Sequence, residues 1–179
     1  MTYPPYPTFR YYLKEGAFTQ LDQRITQLES SKHVKVFKEV AAPILYPGAA
    51  DMEISALNTD FNTVNPDSKI FVSIMMNGES SQWSDGAFYL KLDGQEVGSA
   101  TPEPNRAVGI SADPYDGVES AMANNFIQTM ITVPTPGSHT LTVNKRDHNS
   151  SAYALNRTFT DLGNSRRAVS TVSIDIYDS

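Results

Sequence analysis

The sequence predicts a mainly β protein: an antiparallel, jelly-roll-like β-sandwich preceded by an extended N-terminal arm and one short coiled-coil α-helix. Three observations support this prediction. Prolines and aromatic residues crowd residues 1–13, apolar residues recur with heptad spacing within residues 14–31, and residues 32–179 alternate apolar and polar side chains with a period of two. These changes of pattern define three predicted regions.

The predicted arm carries Pro4, Pro5 and Pro7, which block a helix and lack the amide donor that a sheet ladder needs. An extended arm rich in aromatic rings would leave them in water unless it lies on another surface. We therefore expect it to dock on a neighbouring protein, although folding back onto its own domain would also cover the rings. The residues expected to make this contact are Tyr3, Tyr6, Phe9, Tyr11 and Tyr12.

Residues 14–31 show the spacing of a coiled coil, with apolar side chains at intervals of three, four and three. The seam and its two flanking charges are Phe18, Leu21, Arg24, Ile25, Leu28 and Glu29. Residues 24–29 are similar to the short trimerisation motif Arg-apolar-x-x-apolar-Glu, so these six residues are expected at a trimer interface. Packing of the stripe on the chain's own β-domain is the alternative.

The helix is too short to trimerise alone. Burying four apolar side chains stabilises by ~1.5–3 kcal/mol each, whereas ordering ~14 backbone residues costs ~1–2 kcal/mol apiece. Two heptads are marginal even as an isolated helix. We therefore expect the β-domain to supply much of the interface.

Residues 32–179 are predicted to form eight to ten short strands. Ile70, Val72, Ile74 and Met76 recur at every second position and form one apolar face of a strand. Other strands are predicted near residues 34–36, 52–56, 87–92, 97, 126–133, 139–145, 153–159 and 168–177. Turns are predicted at Asn77-Gly78, Asp93-Gly94 and Pro136-Gly137, of which Asp93-Gly94 is the strongest hairpin signal. This pattern indicates a two-sheet sandwich.

Composition bounds the function. The formal charge is −6, from 14 Lys+Arg against 20 Asp+Glu, so binding to nucleic acid or to an anionic membrane has no electrostatic support. The absence of cysteine excludes a disulfide framework and a thiol nucleophile. The opening residues lack a signal-peptide pattern and no apolar run reaches ~18 residues. The chain is therefore expected to fold in a cytoplasm.

Catalytic motifs are not evident. The three histidines lie in separate segments, and no nucleophile elbow, phosphate loop or dinucleotide fingerprint occurs. We expect no enzyme activity, no catalytic residues and no cofactor, with His33 and His139 at exposed strand positions. A Ser-His-Asp triad assembled from distant segments stays open, although no motif indicates one.

The sequence contains two acidic clusters and two loops that are candidates for binding sites. The acidic clusters at 60–67 and 113–119 lack calcium-loop spacing, so solvated turns are expected and no metal site is predicted. The loops at 77–86 and 99–125 are the candidates for recognition, through Trp83 and Tyr115. Trp83 could stack on a sugar ring, and burial beneath its loop is the alternative.

Three segments of the β-domain, residues 67–72, 155–161 and 170–176, are similar to a sandwich module that recurs in phage head and tail appendages. That module commonly ends its last strand with Glu, where this chain has Asp175. Together, the arm, short coil and sandwich resemble the small trimeric structural proteins of tailed-phage virions. The sandwich also resembles tumour-necrosis-factor-like and C1q-like jelly rolls, which pack around a threefold axis.

The resemblance implies a non-enzymatic homotrimer of the virion, assembled in the host cytoplasm. As a capsid decoration (cement) protein it would dock its arm on the major capsid protein and stabilise the head. As a tail fibre or spike module it would attach to a tail protein and bind host surface polysaccharide. Decoration is favoured because a fibre usually needs a longer shaft. A tail-borne polysaccharide-degrading enzyme would require a carboxylate pair in a groove.

Overall fold

The computed structural model describes residues 33–81, 86–98, 111–112, 122–159 and 168–178. Internal contacts divide the chain into two units, Met1–Lys32 and His33–Ser179, and the described residues all belong to the second. The predicted arm over residues 1–13 and the predicted coiled-coil helix over residues 14–31 lie outside the described residues.

The described part of the second unit is built from β-strands, with one short 3-10 helix at Ser55–Leu57. The strands are β1 (His33–Val40), β2 (Ile44–Tyr46), β3 (Asp51–Glu53), β4 (Thr59–Thr63), β5 (Ser68–Ser80), β6 (Gly86–Leu92), β7 (Gln95–Val97), β8 (Ser111–Ala112), β9 (Ala123–Val133), β10 (Gly137–Asp147), β11 (Tyr153–Leu155) and β12 (Ser170–Tyr177). They form two six-stranded antiparallel sheets. The prediction of a mainly β, antiparallel sandwich is therefore confirmed.

The first sheet is organised by its long central strand, β5. One side of β5 pairs with β9 along residues 68–78. The other side pairs first with β12 and then with β11. Beyond these two strands lie β1, which pairs with β12, and β2, which pairs with β11. Four strands therefore lie side by side in the order β9-β5-β12-β1.

The second sheet is organised in the same way by β10. One side of β10 pairs with β4 and then with β3, and the other side pairs with β6. On its far side β6 pairs with β7 and β8. Because β5 and β10 are 13 and 11 residues long, each spans two shorter partners on one side.

The core lies between the two sheets. Ile70, Val72, Ile74 and Met76 are all fully buried, as the period of two predicts. They belong to one cluster with the inward residues of the other central strands, including Leu141 and Val143 of β10. The prediction of this apolar face is confirmed.

Two of the three predicted turns are confirmed and one is wrong. Asp93 and Gly94 have φ of 50° and 82° and connect β6 to β7, so the hairpin is confirmed. Pro136-Gly137 lies between β9 and β10, also as predicted. The prediction of a turn at Asn77-Gly78 is wrong, because both residues lie within β5. Glycine is needed there because a Cβ would collide with the Tyr153 hydroxyl.

The ends of β11 and β5 also differ from the prediction. The strand predicted over residues 153–159 ends at Leu155, because Asn156 adopts a left-handed φ of 58° that breaks the ladder. The loop predicted to begin at residue 77 begins only after β5 ends at Ser80.

Candidate interaction surface

The outward face of the first sheet carries an apolar group of side chains. In register, Phe71 on β5 lies beside Met130 on β9, and Met75 lies beside Phe126. All four point away from the core, because their neighbours Ile70, Ile74, Ile127 and Ile131 point into it. Adjacent strands lie ~4.8 Å apart, so these four side chains form one continuous group.

Two further aromatic residues extend this face across β12 to β1. Phe37 on β1 lies in the same row as Ser173, Ser73 and Gln128. Tyr177 lies at the end of β12, where its ring is 5.1 Å from that of His33. We call Phe37, Phe71, Met75, Phe126, Met130 and Tyr177 the outer apolar face.

Several of these side chains are bare to an unusual degree. Phe37 is 59% exposed, Phe126 58%, Met130 55% and Tyr177 45%, whereas Phe71 and Met75 are half-buried. Isolated exposed apolar residues are ordinary, but a group of them distributed over four adjacent strands indicates an interaction surface.

Charge on the same face nearly cancels. Its ionic side chains besides His33 are two lysines and three carboxylates, of which Glu79 is buried and accepts from the Phe159 N–H: Lys35, Lys69, Glu39, Asp175 and Glu79. Asp175 contacts Lys35 at 4.0 Å and His33 at 3.3 Å. The whole chain carries −6, so this face is less acidic than the chain as a whole.

The outward face of the second sheet is different in kind. Its one large aromatic residue, Tyr89, is fully buried under charged side chains, with the Arg146 guanidinium 4.4 Å and the Lys91 ammonium 5.4 Å from its ring. The Tyr89 hydroxyl donates to Asp51 at 2.5 Å. Burial and this hydrogen bond raise the pKa of Tyr89 well above its usual range. Here the chain covers its own apolar surface.

One buried polar network joins four strands of the first sheet near the segments that carry the phage-module resemblance. The Asn156 amide donates to the carbonyl oxygens of Val40 at 2.6 Å and Ala42 at 3.2 Å. Its oxygen accepts from the Ser170 hydroxyl at 2.7 Å, and that hydroxyl accepts from the Asn77 N–H at 3.0 Å. Asn156 therefore fixes the ends of β1, β5, β11 and β12 relative to one another.

His139 corrects a second prediction. His33 is exposed as expected, but His139 is buried. Its Nδ1 lies 2.7 Å from the Asp93 carboxylate and its Nε2 lies 2.9 Å from the Thr135 carbonyl oxygen. Nδ1 therefore faces the hairpin residue Asp93 and Nε2 faces the turn between β9 and β10, and these two contacts hold the ring in place. The hydrogen bond from His139 is the largest influence on Asp93 and lowers the pKa of that carboxyl.

This arrangement resembles a catalytic triad in outline only. Thr63 Oγ1 lies 3.3 Å from His139 Nε2, opposite Asp93. However, the Thr63 hydroxyl donates to the Thr135 carbonyl oxygen at 3.1 Å, so its proton is not directed at the ring, and Thr63 and His139 are both buried. A general base takes the proton of a nucleophile through a direct hydrogen bond, and here the Thr135 carbonyl oxygen receives that hydrogen bond instead. The cluster ties the β6–β7 hairpin to β4 and β10.

A fully buried ion pair lies on the inward side of β10. Lys145 Nζ donates to Asp147 Oδ2 at 2.6 Å, and neither side chain has exposed surface. Asp147 also accepts from the Asn149 N–H at 2.8 Å. The ammonium lies 5.9 Å from the centre of the Tyr153 ring. Each charge is therefore matched within the core, as buried charges require.

The site residues predicted from sequence lie outside the described residues. This applies to the docking residues Tyr3, Tyr6, Phe9, Tyr11 and Tyr12, to the trimer-interface residues Phe18, Leu21, Arg24, Ile25, Leu28 and Glu29, and to Trp83 and Tyr115 of the recognition loops. The acidic cluster at 113–119 is likewise outside them. Within the described ranges, no group of three or more His, Cys, Asp or Glu side chains is placed to hold a metal ion.

The outer apolar face was not predicted. A signal for it exists in β9, where Phe126 and Met130 alternate with Ile127 and Ile131, so both faces of one strand are apolar. A strand solvated on one face should alternate apolar with polar residues.

Comparisons with known proteins add no identity: no protein-family model matches the chain, and no curated protein matches it. Among the described residues there is no helix with the length and hydropathy to cross a bilayer.

Proposed function

We propose that this protein is a non-enzymatic structural protein of a phage virion, a trimeric capsid decoration protein that stabilises the head through its N-terminal arm and its β-sandwich. The observation that carries the proposal is the outer apolar face, a surface suited to permanent contact with protein. Its balanced charge and lack of a basic patch do not suit nucleic acid.

The sequence supports the finer architecture. The heptad at residues 18–28 favours a parallel trimer, and the aromatic arm at residues 1–13 is the element proposed to contact the major capsid protein. The jelly-roll arrangement proposed for the sandwich rests on the resemblance of residues 67–72, 155–161 and 170–176 to the phage module. Two of these segments meet in the Asn156 network, since Ser170 donates to the Asn156 side chain.

The test is a binding assay of the purified full chain on tailless phage heads and, separately, on isolated tails. Decoration predicts saturable binding to heads and greater resistance of those heads to heat and osmotic shock. Deletion of residues 1–13 should leave the protein folded and abolish attachment. Binding to tails or to host polysaccharide alone would refute decoration and support the tail-fibre alternative. Binding to none of these would refute both.

A further inference from the structure

We infer that the outer apolar face is the contact between copies of this chain, so that a second copy covers Phe126 and Met130 in the assembled trimer. The inference deepens the proposed function by assigning a partner to the face. It also separates this contact from the proposed capsid contacts, which are left to the N-terminal arm and to other surfaces of the sandwich.

The first argument is area. An aromatic side chain offers ~150–250 Å², so four side chains about half exposed amount to roughly 400 Å². The largest apolar patch of a monomeric protein is typically ~300–600 Å² and is often a functional surface. A stable interface buries ~800 Å² on each partner. The face therefore supplies about half of what one side of an interface needs, and the polar rows around it can supply the rest.

The second argument is charge. Copies of a chain with a charge of −6 repel one another unless they meet through a surface that carries little net charge. The outer apolar face meets this condition, because Lys35 and Lys69 offset Glu39 and Asp175 around it, and the third carboxylate, Glu79, is buried near the end of β5. A partner of strong opposite charge would find no complementary field here.

The experiment replaces both exposed side chains of β9 with lysine, as Phe126→Lys/Met130→Lys. Both side chains point away from the core, so circular dichroism should show an unchanged strand signal. Sedimentation velocity should give about three times the 19.7 kDa chain mass for the wild type. The double variant should dissociate with a dissociation constant at least ~100-fold higher, because each lysine would bury a charge at the contact. Val64→Lys is the matched control, since Val64 is 70% exposed but lies outside the four strands, and it should leave the trimer intact.

A second measurement does not depend on dissociation. Because the chain has no cysteine, Gln128→Cys places a single thiol between Phe126 and Met130, and Val64→Cys places one on the control site. If a second copy covers the face, maleimide should label Cys at 128 at least ~10-fold more slowly than Cys at 64 in the native protein, and dilution into the monomer range should remove this protection. Protection that persists in a monomer would show that the chain covers its own face, and would overturn the inference.

The outcomes separate this inference from the proposed function. A wild type that is a monomer at micromolar concentration, or a double variant that stays trimeric, would overturn the inference. If that trimeric variant no longer bound heads, the face would contact the capsid and decoration would stand. If instead the double variant dissociated but the wild-type trimer bound only tails, the inference would stand and decoration would fail.

Discussion

Replacing Asn156 with alanine should destabilise the sandwich more than any exposed substitution. The change removes both donors to the Val40 and Ala42 carbonyl oxygens and the acceptor of the Ser170 hydroxyl, all in a buried setting. A buried polar group left without its partner costs ~1–3 kcal/mol. Asn156 also has a φ of 58°, which costs alanine a further ~1–2 kcal/mol. The Ser170 hydroxyl still accepts from the Asn77 N–H, so only part of its hydrogen bonding is lost. We therefore expect the free energy of unfolding to fall by about 3–5 kcal/mol in total.

Equilibrium unfolding in guanidinium, followed by far-ultraviolet circular dichroism, measures this loss. Protein concentration must be the same for all variants, because dissociation of an oligomer contributes to the apparent stability. Such a loss is a large part of the ~5–15 kcal/mol that stabilises a typical domain.

Asn156→Gly separates the two contributions. Glycine loses the same hydrogen bonds but tolerates the left-handed backbone, so it should be more stable than the alanine variant by ~1–2 kcal/mol. If the free energy of unfolding of the alanine variant lay within about 1 kcal/mol of the wild-type value, the network would not stabilise the packing of the four strands, and the assignment would be refuted. Equal stabilities for alanine and glycine would refute the conformational part alone.

Two further predictions concern buried or hydrogen-bonded charges. Burial would raise the pKa of Asp178, but hydrogen bonds from the Ser68 hydroxyl and from the amides of Val64 and Asn65 outweigh it and lower that pKa, as the His139 hydrogen bond lowers the pKa of Asp93. Carboxyls with lowered pKa stabilise the fold above their ordinary value of 3.8 and lose this contribution as the pH falls through the folded value. Asp93→Asn and Asp178→Asn should therefore each reduce the dependence of Tm on pH below about pH 4, and an unchanged acid limb in both would contradict the assignment. Lys145→Met should cost ~3–5 kcal/mol, because it removes the cation that faces the buried Asp147 carboxylate, and Lys145→Met/Asp147→Leu should recover part of this loss in the same unfolding assay. A double variant less stable than the single one would show that the other hydrogen bonds of Asp147 satisfy its charge without Lys145.

Local patterns were sufficient to predict much of the fold. The alternation at residues 70–76 identified the inward face of β5, and Asp93-Gly94 identified the β6–β7 hairpin, because both depend only on neighbouring residues. The end of β11 could not be predicted in this way. It depends on the contacts that hold Asn156 in a left-handed conformation, and those partners lie up to 116 residues away.

The burial of His139 was missed for the same reason. Its ring contacts Asp93, 46 residues earlier in the chain, and the two meet because β10 pairs with β6 and begins beside the hairpin. A histidine in a strand pattern gives no sign of such a partner. The register between strands supplies it, and register is a property of the whole sheet.

Strand β9 carries large apolar side chains on both of its faces. Along β9, Ile127 and Ile131 fill the core between the sheets, while Phe126 and Met130 point outward with more than half of their surface exposed. Such two-sided apolar strands are usual where both faces of a sheet are covered, as in parallel sheets flanked by helices. In this chain the inward face is covered by the second sheet. A sequence that keeps large apolar side chains on the other face, while the second sheet hides its own Tyr89 under Arg146 and Lys91, is suited to a partner surface that completes the first sheet from outside.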